Sequence, residues 1–544
     1  MAMGIAPDVG APRRRGTARF GATRRRGLGP PSGCRLRRRI PTTRARGSVV
    51  VDLAPAPRVA VRPFAVPPRQ ADRTSILDFR LEDHMTVTST DTSTELLTRL
   101  RKAYATGRTR DAGWRIRQLR GIEKLADERE AEIAAALQED LGRNAVEAWL
   151  GDVASTRAEA AYARKRVRRW MLPRPKSLSI NQFPALGWVQ YEPMGVVLII
   201  APWNYPVYLT LGPLVAAVAA GNCAVIKPSE LAPATSALLA RLIPQYLDPE
   251  AVVVAEGDAE LTQSLLAQGF DLALYTGGTE VGRKIMAAAA PQLTPVILEL
   301  GGKSPVIVAE DADLEVTARR IAWIKLLNSG QSCIAPDYVL VERSVRDGLV
   351  DKIVDTIALF RSEEPQPGMR VVNHRHFDRL EAYLESTTGR IVTGGRCDRD
   401  TLTVEPTAIV DPAPDDPVMT DEIFGPILPI LTVDSVDAAL DFIGARPKPL
   451  AAYVFSKSLN TQKKITQRIS AGGVVVNHVG MHVLAPQLPF GGVGASGMGA
   501  YHGRYGFEAL SHRKAVLVKP FRPDPAMNYP PYTQAALKIM RRLF

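Results

Sequence analysis

Cysteine is scarce in this chain of 544 residues: only Cys34, Cys223, Cys333 and Cys397 occur, far apart. There is no CxxC pair, and no cysteine–histidine cluster has metal-ligand spacing. A disulfide scaffold and a structural zinc site are thereby set aside, and no metal is expected. Free thiols in a reducing, cytoplasmic setting fit best. Lysine is missing altogether from residues 1–84, which carry eighteen arginines against six acids. The rest of the chain holds 51 basic and 50 acidic residues, so the net charge of +13 belongs to this leader and not to the body. That removes the charge argument for a nucleic-acid-binding body. The leader also lacks periodicity and is rich in Pro, Gly and Ala, the composition of a disordered segment. It has few serines, no apolar core and few aromatics, which argues against a targeting peptide and against a base-stacking arm. The preferred reading is upstream sequence, with Met85 opening an ordinary polar N-terminus.

Long apolar runs are also few. Val207 to Ile226 has the length of a membrane span. Pro213, Gly221 and Asn222 break it and β-branched runs bracket it, so strand–helix–strand is expected and no integral membrane span. Apolar content of 46% and charged content of 23% are those of a globular protein, and the length calls for two or three domains.

The body is patterned throughout. From Thr94 to Trp170 an apolar stripe through Leu96, Leu97, Leu100, Ile116, Leu119, Leu125, Ile133, Leu137 and Leu141 predicts amphipathic helices. Ser177–Ile180 and Gly187–Tyr191 predict a protruding hairpin. Strand and helix signals then alternate from Gly195 to Glu299, which predicts an α/β, doubly wound sheet. A second α/β unit follows from Leu300 to about Gly472. Glu363 to Arg370 is a polar linker inside it. The tail closes on a short basic amphipathic helix, Thr533–Phe544, expected to pack on the body; the alternatives are a cover for a pocket mouth or a helix lying on a membrane surface.

Six stretches carry chemistry-bearing residues. Cys333 follows Asn328-Ser329-Gly330 and precedes Pro336, which removes a backbone donor and biases its neighbour from helix. A loop cysteine can be aimed at a substrate, whereas a lone cysteine is more often a buried apolar residue. Asn204, between Pro202 and Pro206 after the Gly195 strand, offers an amide to an oxyanion; alone it is an ordinary loop residue. Lys227 and Glu230 follow the next strand, where ribose hydroxyls bind, or form a turn. Gly277, Thr279 and Gly282 join a strand to a helix whose N-terminus could face a pyrophosphate, although this stretch is not G-x-G-x-x-G. Glu299 ends an apolar strand, as a base of raised pKa or as the partner of Lys303. Glu422 and Phe424 place an acid and an aromatic ring in one loop, to hold a sugar and a ring or as a plain turn.

Taken in this order, these stretches resemble the aldehyde dehydrogenase superfamily, closest to its class 3 type, which handles aromatic and fatty aldehydes. Leu298-Glu-Leu-Gly-Gly-Lys-Ser-Pro305, Asn328 to Tyr338, Leu488 to Gly499 and Tyr501-His502-Gly503 carry the likeness, which covers Leu96 to Pro520. The resemblance implies a Rossmann-like cofactor domain over 85–298 with an oligomerisation hairpin near 174–193, a catalytic domain over 299–475, and a C-terminal return over 476–544 with an oligomerisation strand and tail helix. It implies a homodimer, NAD or NADP as cofactor, and a small aldehyde as substrate. Cys333 would be the nucleophile, Asn204 the oxyanion donor and Glu299 the water activator. Lys227 and Glu230 would hold the adenosine ribose, Thr279 and its helix the pyrophosphate, and Glu422 and Phe424 the nicotinamide half. An acylating enzyme that passes the acyl group to coenzyme A, and a catalytically silent binding protein on the same fold, are the alternatives. His478 stands where relatives commonly have an acid, near the expected substrate side.

Overall fold

The structure is a computed structural model that describes residues 90–362 and 369–543. The arginine-rich leader and most of the 363–370 linker lie outside the described residues.

The first described layer is helical, as the apolar stripe requires. Asp111 caps the Ala112–Glu128 helix by accepting from the Trp114 N–H at 2.7 Å. Leu119, Ile122 and Leu125 on its inner face are fully buried. The next helix, Glu130–Leu141, stops at Gly142, whose φ of 68° suits glycine. These helices cover a six-stranded sheet. In space its order is Gly497–Met498, Val296–Leu300, Leu272–Gly277, Val196–Ile200, Cys223–Lys227 and Val252–Val254. All but the two-residue first strand run parallel. The Val196–Ile200 strand comes first in sequence among the parallel five yet sits in the middle. The chain winds outward from it to one side and then to the other, so a crevice opens beyond its C-terminal end.

Only four residues, Gly301 to Ser304, separate the last parallel strand of this sheet from the first of the next. The second sheet has seven strands, in the order Arg390–Thr393, Thr407–Val410, Ile427–Val433, Tyr338–Glu342, Pro305–Val308, Ala451–Phe455 and Gly473–Val476. All its pairings are parallel except that of Arg390–Thr393. The loops entering Pro305, Tyr338 and Ile427 therefore gather at one edge, the N-terminal edge of adjacent strands. Because the 301–304 link is so short, the C-terminal edge of the first sheet meets this edge of the second.

One sequence expectation needs correction. The hairpin's first strand is Arg174–Lys176, not Ser177–Ile180, and it pairs with a longer Leu186–Pro193 strand. Ser179 bonds Asn181 at 2.5 Å, and Ile180–Gln182 curls into a 3-10 turn instead of extending. The sheet is completed from far along the chain by Ser511–Val518, in register over all eight residues of the long strand. The terminal helix spans Gln534–Leu543, but only Ala536 on it is buried, while Leu537, Ile539 and Leu543 are exposed. No helix among the described residues is long and apolar enough to cross a membrane.

Candidate active site

The Leu314–Leu326 helix runs toward the junction of the two sheets and ends in a sharp reversal. Asn328 and Ser329 both have φ of 53°, and Gly330 has φ of 70°. Three left-handed residues in succession are costly for any but glycine, so side chains must hold the turn. Asn328 Nδ2 donates to Gln331 O at 3.1 Å and to Asn204 O at 2.9 Å. The fully buried Gln331 donates from Nε2 to Asn328 O and Arg370 O, both at 3.1 Å, and accepts from Val372 N at 3.0 Å. Gly330 is needed for space as well: a Cβ there would stand 2.2 Å from Gly425 O. This turn presents Cys333, whose side chain is half-buried. Burial pushes its thiol well up from the usual range, and the carboxyls of Glu422 and Glu299 push it the same way. The N–H groups of Cys333 and Ile334 act in the other direction.

Asn204 lies just beyond the central strand of the first sheet, in the crevice. It is buried, and its Nδ2 donates to Gln331 O at 3.1 Å, two residues from Cys333. An amide nitrogen carries two donors, so one N–H is left for another acceptor. Its own carbonyl is held by the Arg143 guanidinium, which also pairs with Asp152 in a fully buried ion pair. Asp152 in turn accepts from Val207 N at 3.0 Å and Tyr208 N at 2.8 Å, and the Arg143 guanidinium stacks 4.5 Å over the Tyr205 ring. The Asn204 loop is thus braced from behind by charge that never meets solvent.

Glu299, near the end of the Val296–Leu300 strand, is buried with no hydrogen-bond partner for either carboxylate oxygen among the described residues. Burial alone raises its pKa well above the usual carboxylate value. Thr276, directly across the ladder, has an equally unpartnered hydroxyl. Lys303 does not pair with Glu299. Its ammonium turns to Asp337 at 2.6 Å.

Glu422 is pushed up to about 8, first by burial and then by Asp337, while the Gly302 N–H and the Lys303 and Arg379 charges pull it back. Its Oε1 is buried and unpartnered. Phe424, at φ of 48°, meets Trp203 edge-on at 5.4 Å, and Trp203 lies next to Asn204 in sequence. Lys227 contacts Glu230 across a short turn, the lysine buried and the carboxylate half-exposed. Gly277 ends the Leu272–Gly277 strand, and Gly278 caps the Thr279–Ala289 helix without a side chain. A Cβ at Gly278 would meet nothing within 4 Å, so this helix end can be approached closely. Thr279 Oγ1 donates to Ala495 O at 3.3 Å. Gly282 faces Leu300, which a Cβ would touch at 2.6 Å, so it sets how closely the helix packs on the sheet.

A sequence model described as the aldehyde dehydrogenase family matches residues 84–516. The chain belongs to this family. It is 45% identical over 457 residues to aldehyde dehydrogenase family 3 member H1 of Arabidopsis thaliana, covering 83% of this chain and 94% of that protein. It is likewise 45% identical to family 3 member A2 of Rattus norvegicus, covering 80% and 91%. Among solved structures, the substrate-bound state of Staphylococcus aureus AldH superposes with a TM-score of 0.80 at 41% identity, covering 83% and 99% of the two chains.

As a member of this family the chain is an aldehyde dehydrogenase. Cys333, Asn204, Glu299 and Glu422 converge where the two sheets meet. Lys227, Glu230, Gly277, Thr279 and Gly282 line up at the strand ends of the first sheet alone. The unpartnered Glu422 oxygen and the open helix N-terminus at Gly278 fit the hydroxyl and phosphate groups of a dinucleotide. Arg143 and Gln331, on which the placement of Asn204 and Cys333 depends, carry no warning in the sequence, since each stands beside a glycine in a stretch of mostly polar residues, as a plain loop residue would. His478 sits on a strand-end bend beside Trp323, ring centroids 6.1 Å apart, and its Nδ1 accepts from Val479 N at 2.9 Å.

Proposed function

We propose that the chain oxidises aromatic or medium- to long-chain aliphatic aldehydes to carboxylic acids, with Cys333 as nucleophile. The observation that carries this reading is the convergence of a loop cysteine, a braced amide and an unpartnered buried carboxyl at one junction. The Cys333 thiol gives up its proton to solvent water, the resulting thiolate favoured by its own N–H and that of Ile334, and the sulfur attacks the carbonyl carbon. The free N–H of Asn204, with the backbone at Cys333, receives the oxyanion. When bound, the nicotinamide supplies the hydride acceptor. The oxidised adduct is a thioester on Cys333. Glu299 then takes a proton from water as the water oxygen adds to the thioester carbonyl, and the Cys333 sulfur leaves as the acid departs.

In this reading Lys227 and Glu230 hold the adenosine ribose, and the helix end at Gly278 and Thr279 faces the pyrophosphate. Glu422 and Phe424 hold the nicotinamide ribose and ring. The half-exposed Glu230 carboxylate disfavours a 2′-phosphate and so favours NAD. The chain acts as a homodimer, supported by exposed Leu186 and Leu517 on the small three-stranded sheet and exposed Ile180 and Phe183 in the turn between its first two strands. The exposed apolar side of the terminal helix, with Lys538, Arg541 and Arg542, suits peripheral attachment to a membrane surface.

The test is NADH formation over a panel of benzaldehyde-type, medium-chain and long-chain aldehydes, with the product identified with and without coenzyme A. Free acid independent of coenzyme A is expected. Turnover confined to short aldehydes, or an absolute need for coenzyme A, overturns the reading.

A further inference from the structure

Lys303 does something the catalytic reading leaves unused. It lies in the four-residue link between the sheets, four positions after Glu299. Its ammonium has three donors and three acceptors: Asp337 Oδ2 at 2.6 Å, Val418 O at 2.8 Å and Asp421 O at 2.8 Å. The pair is nearly sealed, with 11% of the lysine side chain and 4% of the aspartate exposed. The other oxygen of Asp337 accepts from Ile423 N at 3.1 Å. Asp337 itself stands four residues after Cys333. One ion pair thus ties together the link that follows Glu299, the segment that follows Cys333 and the 418–423 stretch that delivers Glu422 and Phe424. These segments enter three adjacent strands of the second sheet, so the ties run along one edge. The Arg379 guanidinium also donates to Glu422 O at 3.1 Å and Ile423 O at 2.8 Å. The backbone of the loop is thus held by Lys303, Asp337 and Arg379, while the Glu422 carboxyl keeps one oxygen unpartnered among the described residues.

We propose that Lys303 is a positioning residue. Through Asp337 it fixes the 418–424 loop so that Glu422 and Phe424 are already set for the nicotinamide half of the cofactor before it binds. An ion pair this buried is costly to break on one side only, because the remaining charge is stranded. The loop is therefore held in one arrangement, and the ordering is complete before binding. The proposal rests on the reading that Glu422 and Phe424 contact the nicotinamide half.

The experiment uses the full chain and two probes, NAD and AMP, titrated by calorimetry without aldehyde. AMP reports the adenosine half alone. Lys303→Met is expected to weaken NAD about tenfold and to leave AMP within twofold. The KM for NAD should rise more than kcat at saturating NAD falls, and Lys303→Arg should recover part of the NAD affinity. Asp337→Asn keeps the shape and the acceptor for Ile423 N, and is expected to weaken NAD several-fold should the methionine variant fail to fold. Equal weakening of NAD and AMP, or NAD affinity within twofold of the parent in a folded variant, overturns the proposal. Phe424→Ala separates the two readings. If it leaves NAD affinity unchanged, the assignment of the nicotinamide half is wrong. If it weakens NAD while Lys303→Met does not, only the positioning role is lost.

Discussion

At Glu299 two properties that a carboxyl rarely combines occur together: full burial and, among the described residues, no partner for either oxygen. A structural glutamate would have recruited an arginine or backbone N–H groups, as Asp152 does a few ångströms behind the Asn204 loop. The raised pKa has a direction that can be tested. A carboxylic acid becomes a base only when ionised, so the rate of thioester hydrolysis should climb as pH rises through the raised value of Glu299. Glu299→Gln should lower the steady-state rate about 10²-fold or more and flatten that climb, in line with loss of a general base. The pre-steady-state burst of NADH should survive, because acylation belongs to Cys333. Stopped-flow absorbance at several pH values checks this. A burst that disappeared with the carboxyl would assign Glu299 to the earlier step, and Cys333→Ala, with no burst at all, provides the baseline.

At the scale of elements, the nucleophile turn is where local strain and long-range contacts balance. Gly330 is held at φ of 70° with Gly425 O where its Cβ would be. Gly330→Ala therefore forces backbone, not a flexible side chain, to move. The expected cost is about 1–3 kcal/mol of stability or more. Displacing the turn by even an ångström should cut kcat/KM about 10²-fold. Thermal melts and initial rates on the same preparation read both; unchanged kcat/KM would mean that Cys333 does not depend on this turn. The need for a turn was legible, since Asn-Ser-Gly before a cysteine and Pro336 after it permit little else. The five parallel strands of the first sheet, and Pro305–Val308, Tyr338–Glu342, Ile427–Val433 and Ala451–Phe455 of the second, were legible because runs such as Val196–Ile200 are apolar throughout and bounded by Gly or Pro, whereas Arg390–Thr393, Thr407–Val410 and the two-residue Gly497–Met498 were not read. The first hairpin strand was not, because Arg174-Pro175-Lys176 has no alternation, and its only pattern is supplied by Leu186–Pro193 across the turn. The Gly473–Val476 strand was missed although its three valines are a plain strand signal, because a second unit ending at about Gly472 leaves it out. The bracing of Asn204 by Arg143, and the turning of Lys303 to Asp337 and away from Glu299, rest on contacts 61 and 34 residues apart. No local pattern encodes those.

Across the described residues, the segment at 503–510 is tied back to the helical layer and the first sheet. Leu510 O accepts from Asn222 Nδ2 at 2.9 Å, and Glu159 Oε1 accepts from Gly503 N at 2.6 Å over 344 residues of sequence. Around Glu159 stand the ring of His502, Nδ1 at 3.7 Å, and Tyr208, whose hydroxyl is 3.4 Å from the other nitrogen of His502. Burial lowers His502 to about 3, with His482 adding to the effect, and raises Tyr208, so neither offers a charge near neutral pH. Glu159 is accordingly pushed up to about 7 by burial, against the pull of the Gly503 N–H. Below the ordinary value of 4.5 the carboxyl is protonated in folded and unfolded chains alike and costs nothing. Between 4.5 and 7 the unfolded chain ionises first, so stability from this site drains away as pH rises. Above 7 the loss is complete, on the order of 3 kcal/mol for a shift of this size. Glu159→Gln keeps an acceptor for Gly503 N and cannot ionise. The difference in unfolding free energy, variant minus parent, should therefore grow in the variant's favour from pH 5 to pH 8, and be near zero or slightly negative at pH 4. Urea melts at those three values measure it. A difference that stays flat with pH would show that Glu159 is already ionised in the folded chain at pH 5, overturning its raised value.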